Sequence, residues 1–241
     1  MSWVVALLFL APFTGGLIAL QSGYKNENVL KVFLAFAGGY IFSITILHLL
    51  PEVFGEGDSN TALIVLAGFF FQVFISRFSD GAEHGHLHNH SHDHHMALPL
   101  GLFISMCLHS FTEGLPLGII SGPSGHASHP MSVGIALHEL PAAFALMSIL
   151  RSEHMRKRTV WLLLIVYAAM APSGLLLSYT LSSHLPEYIF TRLLAFVAGI
   201  FLYVSTTILF ENSDNHQFSG RKLAAVLSGV AMAVAIGLVT E

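Results

Sequence analysis

The chain has 241 residues, 54% hydrophobic and only 10% charged, with a formal net charge of -4 at neutral pH. Soluble domains carry about 25% charged residues, so this composition, with a mean hydropathy of +0.70, predicts an all-α, polytopic membrane protein with no room for a separate soluble domain. The negative charge without a basic patch argues against a nucleic-acid partner, and the single cysteine, Cys107, rules out an intramolecular disulfide.

Spans of about 20 apolar residues fit eight times along the chain. The first, 3–22, has no cationic residue before its apolar run and no clear small-residue cleavage site, so it reads as a span rather than a secretion signal. The second, 30–50, closes on HLLPE, which carries His48 and Glu52. The third, 61–79, leads into a loop at 80–96 that holds EHGHLHNHSHDHH, from Glu83 to His95. The fourth, 97–120, contains HSFTEG (His109–Gly114); SGPSGHASHP follows with His126 and His129, then HELPAA (His138–Ala143) in the fifth span, 131–150. The remaining spans are 159–181, 188–210, which ends at Glu211, and 222–240. Eight crossings put both termini on one side. Nine of the ten Lys and Arg residues fall on or beside the odd-numbered loops, with Arg192 the exception. The excess of cations marks the cytoplasmic side, so both termini are expected outside and the histidine-rich loop inside.

LAFAGGYIFSI from Leu34 and LAFVAGIFLYV from Leu194 share Leu-Ala-Phe and a glycine, Gly39 or Gly199, at one offset. Chance in a restricted apolar alphabet accounts for such a match as well as a repeat does. A true repeat would relate spans two and seven in opposite orientation, giving an inverted 3+2+3 plan with spans four and five on the pseudo-twofold axis.

Ionisable residues inside a membrane span are expensive and point to function. On the fourth span Ser105, His109, Thr112, Glu113 and Pro116 recur at three- and four-residue intervals, along one helix face. His109 and Glu113, one turn apart, suit a single divalent transition metal. Pro116 and Pro141 lack an amide hydrogen and free the carbonyls of Thr112 and Leu137, which predicts that both helices break beside their histidines. Gly134, His138, Ala142 and Ala145 form a small-residue stripe that would bring His138 close to the fourth span. Glu139 lies about 100° around the helix from His138. It is open to three roles: ligand, outer acceptor for an imidazole N–H, or carboxylate lining the pathway. One buried histidine would read as an interhelical hydrogen bond; two His and two Glu in neighbouring spans read as a metal site. Two carboxylates at that depth need a dication or a proton between them, so metal binding is expected to release a proton.

The tract residues His84, His86, His88, His90, His92, His94 and His95 stand among small or polar neighbours, a composition that binds metal and builds no core. His48, Glu52, His126, His129 and Glu211 are candidates along an ion pathway, and ordinary interfacial polar residues fit those positions equally well.

HSFTEG, then HELP, a histidine-rich loop between spans three and four, and eight spans together resemble the ZIP (Zrt/Irt-like protein) family of divalent-metal transporters, over essentially the whole chain. The resemblance implies transport of zinc, or of iron, manganese or cadmium, toward the cytosol through a site between spans four and five, with the metal as substrate and no cofactor. The family's fourth-span pattern H-N-x-x-[DE]-G is met by His109, Glu113 and Gly114, with Ser110 where Asn is common. Of the fifth-span pattern H-E-x-P-H-E, His138, Glu139 and Pro141 match, while Ala142 and Ala143 replace the last two. Ala171, before Pro172, stands where two-metal members carry an acid. These departures predict one metal, at His109, Glu113 and His138 with Glu139 or water. The expected partners are divalent metal ions and the lipid bilayer, with a homodimer as candidate assembly, in a bacterial inner membrane. The alternative from another class is an intramembrane metal-dependent hydrolase. H-E-x-x-H would supply its ligands and base, but Ala142 occupies the second histidine's position.

Overall fold

The computed structural model describes residues 1–22, 27–56, 59–79, 97–120, 128–152, 155–182, 184, 186–211 and 220–240. Every regular element among them is helical: α1 Ser2–Ser22, α2 Glu27–Ile44, a π-helical turn Thr45–Leu49, α3 Leu50–Glu56, α4 Thr61–Ser79, α5 Ala97–Ile120, α6 Ser128–Ser152, α7 Lys157–Ala168, α8 Met170–Leu181, α9 Glu187–Glu211 and α10 Gly220–Thr240. A lipid environment offers no water to backbone amides, so apolar runs of this length close their hydrogen bonds within helices. Seven helical runs are long and apolar enough to cross a bilayer, counting α2 through α3 as one and α7 with α8 as one. The apolar part of α4, Thr61–Arg77, is shorter and sits at the lower limit of about 17 residues for a crossing. The protein is a polytopic, all-helical membrane protein.

Proline did not act as the sequence suggested. α5 runs unbroken through Pro116 and α6 through Pro141; a tightly packed neighbour holds each helix on course. The interruptions lie elsewhere. Pro51 has no N–H for the Leu47 carbonyl, and just before it the chain slips into a π turn in which the Leu50 amide bonds to Thr45. In the sixth span Pro172 leaves the Ala168 carbonyl without a helical donor, and α7 gives way to α8 at Ala169, with φ -83° and ψ -8°. The Ser173 amide and hydroxyl both donate to the Ala169 carbonyl there, at 3.0 and 2.6 Å.

Four helix pairs carry most of the packing: α1 with α6, α5 with α8, α2 with α10, and α4 with α9. Glycine sets each approach. A Cβ on Gly114 would overlap the Ala171 carbonyl, and one on Gly174 the Phe111 carbonyl, so α5 and α8 touch backbone to backbone. Gly15 is in the same relation to Leu140 of α6. Backbones this close gain dispersion and need small residues, the usual association device in membranes. The pairs assemble into two groups, α1, α5, α6, α7 and α8 against α2, α4, α9 and α10, which meet chiefly through α2 on α6 and α4 on α5.

The α5–α6 pair differs from expectation. These helices approach each other far less than each approaches its principal partner. The predicted small-residue stripe serves other neighbours: Gly134 receives the Tyr40 ring of α2, whose hydroxyl donates to the Pro130 carbonyl at 2.9 Å. Side chains, not backbone contact, bridge α5 to α6.

Gly174→Val is expected to wedge α5 from α8 and to cost about 1–3 kcal/mol, the usual penalty of overpacking. Gly101 has nothing near its missing Cβ, so Gly101→Ala should leave stability unchanged or raise it by up to about 1 kcal/mol. Thermal unfolding of the two purified variants checks the contrast.

Candidate metal centre

His109 and Glu113 stand one turn apart on α5, and His138 faces them from α6 across the gap. All three are fully buried. His109 Nε2 lies 3.2 Å from His138 Nε2 and 3.2 Å from Glu113 Oε1, and His138 Nε2 lies 3.8 Å from the same oxygen. The imidazole planes are nearly perpendicular, at 88° with centroids 5.5 Å apart, so both Nε2 atoms aim at one region. Ligands about 2.0–2.1 Å from a tetrahedral zinc stand about 3.3 Å from one another. The observed triangle is close to one face of such a tetrahedron. Among the described residues, these three form the one group of three or more metal-ligating side chains placed to hold an ion.

The tautomer sets what the three donors can hold. An Nε2–H on His109 could donate to Glu113 Oε1 or to His138 Nε2, each at 3.2 Å; with both Nε2 atoms bare, two lone pairs and a carboxylate oxygen converge. That tautomer places the hydrogen on Nδ1. His138 Nδ1 is buried without a hydrogen-bond partner.

Glu139, also fully buried, is not one of the three. It points to a neighbouring polar spot bordered by Ser110, Tyr167 and Glu113. Ser110, Tyr167 and Glu113 stand near enough to interact with its carboxyl, yet neither its oxygens, nor Ser110 Oγ, nor the Tyr167 hydroxyl reaches full hydrogen-bond geometry. This leaves polar capacity beside the triad unspent, which buried groups rarely do. Its neighbours are a hydroxyl, a phenol and a carboxylate and not an imidazole N–H, so this position fits a carboxylate beside the pathway better than a ligand alongside the triad or an acceptor for imidazole. Tyr167, on α7, is the residue that sequence reasoning missed. A tyrosine in mid-span, away from the interfacial belt where such residues usually sit, was the available signal.

The other candidates are dispersed. Ser105 and Thr112 spend their hydroxyls on carbonyls of their own helix, those of Leu102 and His109 at 2.9 and 2.8 Å. His48 belongs to the π turn, half-buried, with its Nε2 beside Gly237 of α10. Glu52 is exposed on α3. Glu211 ends α9, its side chain outside the described residues, as are His126, the His129 side chain and the tract from His84 to His95.

The family model described as ZIP Zinc transporter matches residues 1–99 and 79–237. The chain belongs to the ZIP zinc transporter family. Membership accounts for a membrane-embedded metal-ligating cluster, and it makes this a divalent-metal transporter. Against that family background, the buried Ala142 and Ala171 carry methyl groups where the resemblance described above leads one to expect further ligands.

Glu139→Gln should still bind one zinc per chain but about 10- to 100-fold more weakly, the usual cost of losing an outer partner. His138→Ala should lose tight binding. Zinc titration of the purified variants, with metal content per chain, separates these outcomes from a chain that binds two ions.

Proposed function

We propose that this ZIP protein moves divalent transition-metal ions, zinc foremost, toward the cytosol through a single-ion site between α5 and α6. His109, Glu113 and His138 supply three ligands, and Glu139 or water completes the set. The observation that carries this reading is the triangle of three buried donor atoms with tetrahedral spacing. Mixed imidazole and carboxylate donors favour zinc only modestly over iron, manganese or cadmium. A dication held by two neutral imidazoles and Glu113, with the Glu139 carboxylate close by, is nominally neutral. The site therefore tolerates a charged substrate at a depth where bare charge is expensive.

The donors are closed off on both sides. Toward the start of α5 and the end of α6 the packing includes the fully buried Met106, Leu146 and Met147; toward their other ends stand Leu117, Met131 and Ile135. An ion therefore enters and leaves only when side chains or helices move.

The inverted 3+2+3 plan is part of the same proposal, and reciprocal packing supports it. Gly39 of α2 lies against Val226 of α10, while Gly199 of α9 lies against Val65 of α4. Exchanging span two for seven and span three for eight maps one contact onto the other. The inward direction rests on the ZIP resemblance, whereas the external termini and the cytoplasmic location of the histidine-rich loop rest on the asymmetry of Lys and Arg. The tract would then meet ions on the exit side. A homodimer in a bacterial inner membrane remains the proposed setting.

Cells producing the wild-type chain should accumulate zinc-65 well above control cells, and Glu113→Ala should fall to the control level at equal membrane abundance. Efflux instead of uptake would reverse the proposed direction, and unimpaired uptake by Glu113→Ala would remove the site. In liposomes with an internal pH dye, metal entry should be accompanied by a proton signal; entry without one would discard the coupled proton.

A further inference from the structure

The last turn of α1, the last turn of α6 and the start of α7 line a cavity of about 380 Å³, at the end of the bundle opposite the start of α6. It is independent of the metal centre. Arg151 and Lys157 bring positive charge to its wall, Gln21 adds an amide, and Leu20, Met155 and Trp161 make the rest largely apolar. Arg151 is anchored rather than loose: its guanidinium donates to the carbonyls of Ala19 and Leu20 at 3.2 and 2.7 Å. This caps the end of α1 and fixes one cation at the cavity's edge. Arg156 and Arg158 are exposed on either side of Lys157, so the positive charge continues beyond the opening. Trp161 is 41% exposed one turn further along α7, where an amphipathic ring suits the boundary between headgroups and acyl chains.

A pocket lined by cations, an amide donor and apolar side chains at the end of membrane-spanning helices has two kinds of wall. One matches a phosphate, the other the glycerol and upper acyl region of a lipid. We infer that this cavity is a binding site for the headgroup of an anionic phospholipid, held by Arg151 and Lys157 with the chains running down beside Trp161. Basic pockets between transmembrane helices select such lipids by the same electrostatics. A free phosphate shares the headgroup's charge but offers nothing to the apolar wall. Bound there, the lipid would tie the end of α1 to α6 and α7, the helices that carry His138 and Tyr167.

The test is native mass spectrometry of the full chain, released from detergent after mixing with equal amounts of phosphatidylglycerol and phosphatidylcholine. The wild type should retain phosphatidylglycerol preferentially, and Lys157→Gln should lower that preference about fivefold. Arg151→Gln should lower it at least as far, but it also removes a cap from α1. Lys157→Gln, an exposed position, therefore keeps the test independent of folding. The pair Arg221→Gln and Lys222→Gln, at the start of α10 and outside the cavity, should leave the preference intact. Equal retention of both lipids by the wild type, or an equal loss in the α10 pair, would overturn the assignment. Displacement of phosphatidylglycerol by millimolar inorganic phosphate would overturn it too, in favour of a free-anion site.

Discussion

Placing a carboxylate and two imidazoles with no exposed surface inside a lipid-embedded bundle is unfavourable unless something compensates. At Glu113 the compensation is arranged in space: His109 Nε2 and His138 Nε2 approach its oxygen with the spacing that a small dication bridges. Low dielectric makes unsatisfied charge costly and makes the attraction to a cation correspondingly strong. The rest of the architecture can be understood as holding that triangle in place without filling it. A neutral core of the same shape would need none of these residues.

Helix packing provides the space. Because α5 takes α8 as its close partner and α6 takes α1, each ligand-bearing helix is fixed by backbone contact on its far side. The near sides are left apart by the width of two imidazoles. Had the small residues of α6 drawn it directly onto α5, the histidines would have no room to face each other around an ion. Rigid outer contacts and a spacious inner one position ligands more firmly than loops do. The same arrangement lets the ligands of α5 and α6 respond to small movements of either pair.

Much of this was legible in the sequence because the bilayer imposes a strong rule. Apolar runs of membrane length become helices, and the ends of α4 and α5 fall where hydropathy put them. His109, Glu113 and His138 stood out because charge is rare at that depth. What could not be read depended on partners distant in sequence. Pro116 and Pro141 carry the same local signal as Pro51 and Pro172, yet only the latter two accompany a change of helix, since neighbouring helices decide whether a freed carbonyl can be tolerated. The partner of Gly114 is Ala171 and that of Gly134 is Tyr40, pairings that no periodicity encodes. Tyr167 joins the polar neighbourhood of Glu139 only because α7 packs against α6.

The departures from the ZIP motif give the account its sharpest claim. Ala142 and Ala171 are buried and contribute methyl groups only, and Glu139 turns toward Ser110 and Tyr167. A second ion beside the first would therefore find one carboxylate, a hydroxyl and a phenol, a poor set for zinc beside the triad. Anomalous diffraction at the zinc edge, from crystals of the full chain grown with zinc, tests this directly. The account predicts one peak at the core, within bonding distance of His109 Nε2, His138 Nε2 and Glu113; two adjacent peaks, or a single peak on Glu139 away from the histidines, would contradict it.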